Sequence, residues 1–232
     1  MYKLIISGDS HTNYLWPGWA DFLTWGYKDR INLGKWGTGN DFIFFKTYPY
    51  LQKANDTKFI ISWAESTKFD IKKENKWIKH INMPWAEYVD NRYLYDHFYD
   101  HDYWVEKSNI YVDCFTTIMK QKGLDYWYAC ATDFNEIYND TSHLFENKWN
   151  EIGYNNSKAH IWETGRFGET NQLDYHLMAQ EQLPYAKKLA KLLNLPMIKD
   201  WSEIAADIDK RIYSYKDMYS LVNKPITLEE YS

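Results

Sequence analysis

Near its N-terminus the chain reads Leu4-Ile5-Ile6-Ser7-Gly8-Asp9-Ser10-His11-Thr12, a short apolar run followed at once by small and polar residues. This pattern predicts a buried β-strand that ends in a turn. The next segment, residues 16–25, carries apolar side chains at helical spacing and has Pro17 where a first helical turn tolerates proline. The chain is therefore expected to begin as strand, loop and helix.

The strand, loop and helix pattern repeats further along the chain. A second strand is predicted at residues 30–33, and a glycine-rich loop at 34–40 leads into a helix at 41–52 with a bend at Pro49. Later predictions are a third strand at 58–63, a helix at 103–122 ending at Gly123, a fourth strand at 124–131, a short strand at 159–163, an amphipathic helix at 183–193 and a helical tail at 200–219. Strands that alternate with helices indicate βαβ units and a mostly parallel sheet, which is an α/β fold.

The length of 232 residues fits one domain, and no repeat or low-complexity linker marks a boundary within residues 1–232. Two stretches interrupt the alternating pattern. Residues 68–104 are dense in Lys, Asn, Asp, His and Tyr and are interpreted as an insertion with short helices. Residues 133–158 form a second polar insertion.

The charge balance limits the classes of partner. The chain has 27 Lys and Arg against 32 Asp and Glu, a formal charge of −5, and phosphate binding needs a basic surface, so nucleic acid is not expected. The apolar run at residues 4–6 is too short for a signal peptide, and no stretch has the length of a membrane span. We therefore expect a cytoplasmic or virion-associated protein, and the sequence leaves its oligomeric state open.

Three sequence blocks carry the residue types of serine-dependent ester chemistry, which needs a nucleophile, a base, a carboxylate to orient the base, and N–H donors for the oxyanion. They are Gly8-Asp9-Ser10 after the first strand, Ile31-Asn32-Leu33-Gly34-Lys35-Trp36-Gly37 after the second, and Asp174-Tyr175-His176 before a helix near the C-terminus. In this order they resemble the blocks of the SGNH (GDSL-like) hydrolase family, in its phage-type branch.

The resemblance implies a role for each block residue. Ser10 is the expected nucleophile, His176 the base and Asp174 the carboxylate that orients it, while the backbone N–H groups of Ser10 and Gly37 would bind the oxyanion. The implied fold is a three-layer α/β/α sandwich of the flavodoxin-like type with a mostly parallel central sheet. No metal or organic cofactor is expected.

Two features depart from the family pattern. The last block has Asp-x-His where Asp-x-x-His is usual, and the Gly-x-Asn-Asp expected after the third strand is replaced by Ser62-Trp63-Ala64-Glu65-Ser66-Thr67, as in the phage-type branch. Asn40 is therefore the expected third oxyanion donor, with a helix cap as its alternative role. Glu65 and Ser66 are candidates for lining the site.

The same residues also fit structural roles. Ser10 and Asp174 sit where helix caps occur, and Gly37 where a tight turn needs a glycine. The loop at 34–39 does not have the spacing of a nucleotide-binding Gly-x-Gly-x-x-Gly motif. His97 and His101 have the i, i+4 spacing of metal ligands on a helix, but no third ligand accompanies them, so no metal site is predicted.

The function favoured by the sequence is a serine esterase that hydrolyses short acyl esters such as acetyl esters. An aromatic content of 19% and rings in the insertion, among them Tyr93, Tyr95, Tyr99 and Trp104, favour a glycan as the alcohol part. Two alternatives stay open. One is an inactive glycan-binding or virion-associated protein with the same fold, and the other is an acyltransferase that uses the same serine.

Overall fold

The computed structural model describes residues 3–64, 68, 70–73, 76–78, 100–130, 176–197, 201–215, 221 and 223–231. The described strands are β1 (Leu4–Gly8), β2 (Arg30–Asn32), β3 (Lys58–Trp63), β4 (Ile71–Lys73), β5 (Lys76–Ile78) and β6 (Tyr126–Cys130). The described α-helices are α1 (Trp19–Thr24), α2 (Asn40–Lys53), α3 (His101–Lys122), α4 (Ala179–Leu192) and α5 (Ser202–Ser214), and a 3₁₀ helix follows at Leu228–Tyr231.

The central sheet is parallel and has the strand order β2-β1-β3-β6. Ile6 of β1 is paired with Asn32 of β2 on one side and with Ile60 of β3 on the other. Ile61 of β3 is paired in turn with Tyr128 of β6. The predicted α/β fold with a mostly parallel sheet is confirmed, and all carboxyl ends of these four strands lie at one edge.

Helices cover both faces of this sheet because alternate strand residues point to opposite sides. Leu4 and Ile6 of β1 are buried in a cluster with residues of α1, α4 and α5. Ile5 is buried in a second cluster with residues of α2 and α3. Much of the aromatic content fills these cores, and the largest side chains that are fully buried are Trp16, Trp19, Trp63 and Trp201.

Several predicted boundaries hold. α2 and α3 match the helices predicted at 41–52 and 103–122, and α2 continues through Pro49. Gly123 ends α3 with a φ of +63°, the left-handed conformation expected of a glycine C-cap. The amphipathic helix at 183–193 begins earlier, at Ala179. Of the helical tail predicted at 200–219, Ser202–Ser214 is helical and residues 216–219 lie outside the described residues.

One prediction is wrong in detail, and one segment contains strands that were not predicted. Pro17 does not lie in the first turn of α1, since the helix begins at Trp19 with Gly18 as its N-cap and the Gly18 N–H donates to Asp21 Oδ2 at 2.9 Å. The insertion at 68–104 contains the antiparallel pair β4 and β5, which was not predicted, with Ile71 opposite Ile78; residues 79–99, where the predicted short helices could lie, are outside the described residues. Two short strands separated by two residues form a hairpin pattern, but the polar composition of this segment makes the pattern hard to recognise in the sequence.

Other predictions fall on residues that the structure does not describe. These are the short strand at 159–163 and the insertion at 133–158. Among the described residues no helix is both long enough and apolar enough to cross a membrane.

Candidate active site

Ser10 lies in a tight turn at the carboxyl end of β1. The carbonyl oxygen of Asp9 accepts hydrogen bonds from the N–H groups of Thr12, at 3.0 Å, and Asn13, at 3.1 Å. The Asp9 carboxylate accepts a further bond from the His11 N–H at 3.0 Å. Ser10 is half-buried, and ligands of parallel sheets bind at the edge where this turn lies. The position predicted for the nucleophile is therefore accessible and held by the backbone.

The turn packs closely on Gly8, the last residue of β1. A Cβ atom added to Gly8 would lie 2.0 Å from Thr12 Oγ1 and 2.8 Å from the Ser62 Cβ on β3. Thr12 also lies close to Gly34 in the loop after β2, where an added Cβ would meet the Thr12 Cβ and methyl at 2.8 Å. The Gly8 position thus sets how closely the Ser10 turn, β3 and the loop after β2 approach one another.

We expect Gly8→Ala to lower the free energy of unfolding by about 1–3 kcal/mol, since the added methyl overpacks this contact. Urea unfolding followed by tryptophan fluorescence measures the change. Adding Thr12→Ala to the Gly8→Ala variant removes the nearest clashing atom and should recover part of the loss. Equal stability of Gly8→Ala and the wild type would contradict the close packing.

The loop after β2 runs beside the Ser10 turn. The Leu33 N–H donates to Ile6 O at 2.7 Å, and the Lys35 N–H donates to Gly8 O at 3.0 Å, which extends the pairing of the two segments past the end of β2. Gly37 follows in a turn with a φ of +69°, a conformation that favours glycine. The two loops that carry the predicted oxyanion donors, Ser10 and Gly37, are therefore neighbours.

His176, far from Ser10 in sequence, lies against the Ser10 turn. Its ring stacks on Tyr14 with 3.6 Å between the ring centroids and 12° between the planes. The ring of His11, the residue after Ser10, stacks at 5.0 Å and 27°. The predicted base is thus brought to the loop that carries the predicted nucleophile.

The segment that carries His176 is anchored to the start of α1. Leu177 O accepts hydrogen bonds from Trp16 Nε1 at 3.0 Å and from Gln182 Nε2 at 2.6 Å. Gln182 Oε1 in turn accepts from the Trp19 N–H at 3.1 Å. Trp16 and Trp19 are buried, so these bonds fix the backbone next to His176 against the helix that follows the Ser10 loop.

His176 contacts the loop that carries Ser10 through the rings of Tyr14 and His11, but no hydrogen bond among the described residues joins His176 to Ser10. In the described part of the chain, Ser10 Oγ makes no hydrogen bond to the imidazole of His176. Such bonds are commonly long or absent before a substrate binds and form in the complex. The contact of His176 with the Ser10 loop supports the predicted pair. Proton transfer from Ser10 would require this hydrogen bond to form when a substrate binds.

The side-chain amide of Asn40, the predicted third oxyanion donor, makes structural hydrogen bonds. Its amide nitrogen donates to Ala64 O and to Ser108 Oγ, both at 3.0 Å, and its Oδ1 accepts from the Ala64 N–H at 2.8 Å. An amide nitrogen has two hydrogens, and both are committed to these contacts. Asn40, the first residue of α2, thus joins this helix to the end of β3 and to α3, which argues against its predicted role as an oxyanion donor.

Lys68 forms a buried ion pair with Asp9, the residue before Ser10. The distance from Lys68 Nζ to Asp9 Oδ2 is 2.9 Å, and the two side chains are 12% and 1% exposed. Burial raises the pKa of Asp9, but the Lys68 ammonium and the neighbouring His11 outweigh burial and hold that pKa below its ordinary value. Asp9 is therefore ionised and supports the backbone of the Ser10 turn.

Asp70 fixes the next part of the same segment to α2. Its Oδ2 accepts hydrogen bonds from the Gly39 N–H at 2.8 Å and from the Phe42 N–H at 3.0 Å. A carboxylate at this position satisfies N–H groups that a helix start leaves open, and the helix dipole favours its charge. Lys68 and Asp70 together tie the chain after β3 to the Ser10 turn and to the start of α2.

Several predicted residues are not placed by the structure. Asp174, Glu65, Ser66 and His97 lie outside the described residues, as do Tyr93, Tyr95 and Tyr99. For His101 only the backbone position, at the start of α3, is described. Among the described residues no group of three His, Cys, Asp or Glu side chains is arranged to hold a metal ion.

Sequence reasoning missed four contributors: Lys68, Asp70, Tyr14 and His11. Lys68 and Asp70 stand in a polar insertion, and nothing in the sequence indicates that their partners are Asp9 and the start of α2. Tyr14 and His11 were within reach of sequence analysis, since both follow Ser10 closely and aromatic rings near a candidate base can stack on it.

Two comparisons bear on identity. A scan against protein-family models gave no match to this chain, and a search of curated protein sequences gave none either.

Proposed function

We propose that the protein is a serine esterase that hydrolyses short acyl esters, with Ser10 as nucleophile and His176 as general base. The observation that carries the proposal is the stack of His176 on Tyr14 and His11, which puts an imidazole beside the turn that holds Ser10. Such a neighbour is what a serine hydroxyl needs to become a nucleophile. The resemblance of the sequence blocks to the SGNH hydrolases supports the same assignment.

The reaction proceeds in two balanced steps. Ser10 Oγ attacks the ester carbonyl carbon while its proton passes to His176, and the tetrahedral intermediate expels the alcohol, which takes that proton. Water then attacks the acyl group on Ser10, His176 accepts a proton from the water, and the acid leaves as Ser10 Oγ is reprotonated. The products are one alcohol and one carboxylic acid, and no cofactor takes part.

The negative charge on the carbonyl oxygen needs donors. The backbone N–H groups of Ser10 and Gly37 come from neighbouring loops and are assigned this role; loss of one such donor typically costs about 3 kcal/mol of barrier. Asn40 is left out, since its amide hydrogens bind Ala64 and Ser108. Asp174 remains the proposed carboxylate that orients His176.

The test is active-site labelling with a fluorophosphonate probe together with hydrolysis of p-nitrophenyl acetate. We expect the wild type to be labelled and to turn over, and Ser10→Ala to lose both signals, because the probe needs an activated serine oxygen. Ser214, an exposed residue at the end of α5 whose hydroxyl donates to Arg211 O, provides the control variant Ser214→Ala, which should keep both signals. A folded wild type that neither reacts nor turns over would overturn the esterase.

One observation favours a second candidate, a protein that binds glycans without turnover. The amide of Asn40, which the sequence predicted as the third oxyanion donor, is committed to Ala64 O and Ser108 Oγ. A binding protein would bind a glycan and leave p-nitrophenyl acetate intact. An acyltransferase would instead transfer the acyl group to a sugar faster than to water.

A further inference from the structure

A cavity of about 570 Å³ lies beside the proposed active site. Its walls come from the loop that follows the Ser10 turn, from α1, from β2 and the loop after it, and from residues 225–229 near the C-terminus. The side chains that matter for recognition are Tyr14, Asp21, Trp25, Asn32, Trp36 and Glu229. Its volume lies within the range of about 300–1,000 Å³ that is common for small-molecule sites.

Aromatic rings form a large part of the wall. Tyr14, Trp25 and Trp36 all line the cavity, and each is partly exposed. Flat rings of this kind combine a large apolar surface with little conformational freedom, so they bind at low entropic cost. They suit a ligand with an apolar face, such as the C–H face of a sugar ring.

Asp21 supplies a fixed acceptor in the same wall. Its Oδ1 accepts from Asn32 Nδ2 at 3.0 Å and its Oδ2 from the Gly18 N–H at 2.9 Å, so the carboxylate is held by two neutral donors. A carboxylate accepts about four hydrogen bonds, which leaves capacity for ligand hydroxyls. Burial raises the pKa of Asp21 to about 6, as expected for a carboxyl in a poorly hydrated recess, and Glu229 adds to the rise.

The charges of the cavity argue against a site for a cation. Arg30 belongs to the same wall and offsets part of the charge of Asp21 and Glu229. Its guanidinium donates to Leu23 O at 2.9 Å and to Pro196 O at 3.1 Å, which fixes it in place. A wall with charges of both signs, amides and aromatic rings matches a neutral ligand that is rich in hydroxyl groups.

Tyr14 connects the cavity to the proposed chemistry. It lines the cavity and stacks on His176, the group that returns a proton to the departing alcohol. The alcohol part of a bound ester must lie on the His176 side of Ser10. We propose that this cavity binds the alcohol part of the substrate and that this part is a saccharide. That the saccharide is the alcohol part rests on the proposed esterase function; that the cavity binds a saccharide does not.

Binding is tested on the full chain carrying Ser10→Ala, so that no ester chemistry interferes. Cellobiose and chitobiose are titrated with calorimetry and tryptophan fluorescence, with sorbitol as a polyol without a ring face and choline as a cationic probe. We expect saturable binding of at least one disaccharide and none of sorbitol or choline. Trp36→Ala should weaken that binding at least tenfold, and Trp36→Phe, which keeps a ring face, should restore most of it.

Near-ultraviolet circular dichroism confirms that each variant is folded. Absence of saturable disaccharide binding overturns the proposal, and so does equal affinity of Trp36→Ala and its parent. Choline binding without sugar binding would identify a cation site instead. Fluorophosphonate labelling of Ser10 is read separately in the wild type, so sugar binding with no labelling refutes the esterase alone, and labelling with no sugar binding refutes the saccharide site alone.

Discussion

His176→Phe should lower kcat/KM for p-nitrophenyl acetate by about 10²–10⁴-fold, the usual contribution of general acid–base catalysis. Phenylalanine keeps a flat ring that can stack on Tyr14, so the packing beside the Ser10 turn is largely retained. It cannot accept the proton of Ser10 Oγ or return one to the departing alcohol. A loss of rate in a folded variant therefore reports the chemistry of the imidazole and not its volume.

His11 gives the matched control, because its ring belongs to the same stack at 5.0 Å from His176. We expect His11→Phe to change kcat/KM by less than about tenfold, in keeping with a packing role. Fluorophosphonate labelling rates of both variants give a second measure of how far Ser10 is activated. A large loss in His11→Phe with full activity in His176→Phe would transfer the role of base to His11.

The sheet was predictable because each of its strands has a recognisable local sequence pattern. Runs such as residues 4–6 and 58–63 are short, apolar and bounded by polar turns, and buried parallel strands have this pattern. Gly123 likewise marks a helix end by its own conformational freedom. The hairpin at 71–78 was missed since each of its strands has only three residues and lies in a polar region, where composition conceals pairing.

The site was predictable only in part. The order of the sequence blocks led to Ser10 and His176, and the stack on Tyr14 supports their proximity. The role of Asn40 depended on which way its amide points, and packing against Ala64 and Ser108, not local sequence, decides this. A side chain whose partners are distant in sequence has no local sequence pattern that indicates its role.

Lys68 is the clearest case of such a residue, and it also leads to the largest expected effect on stability. Lys68→Met should lower the free energy of unfolding by about 3–5 kcal/mol at neutral pH, since it leaves the carboxylate of Asp9 buried without its counterion. Methionine keeps most of the volume of the lysine side chain, so loss of packing contributes little. Urea unfolding at pH 7, followed by far-ultraviolet circular dichroism, measures the change.

The difference in the free energy of unfolding between Lys68→Met and the wild type should depend on pH, and the pKa of Asp9 sets the direction. In the wild type the pKa of Asp9 is below its ordinary value of 3.8, so its contribution to stability is present above pH 3.8 and is lost as pH falls toward the lowered pKa. Without Lys68 the ammonium that lowers this pKa is gone, so the pKa of Asp9 should rise relative to the wild type. Acidification from pH 7 toward pH 4 should therefore narrow the stability gap between Lys68→Met and the wild type.

Two controls separate the buried pair from a general effect of charge. Lys3 pairs with Asp29 at 4.0 Å with side chains 74% and 42% exposed, so Lys3→Met should cost less than about 1 kcal/mol. Adding Asp9→Asn to Lys68→Met removes the stranded charge and should recover stability relative to Lys68→Met alone. A Lys68→Met variant as stable as Lys3→Met, or a gap that widens on acidification, would show that Asp9 does not depend on Lys68. The Ser10 turn would then be held by its backbone hydrogen bonds alone.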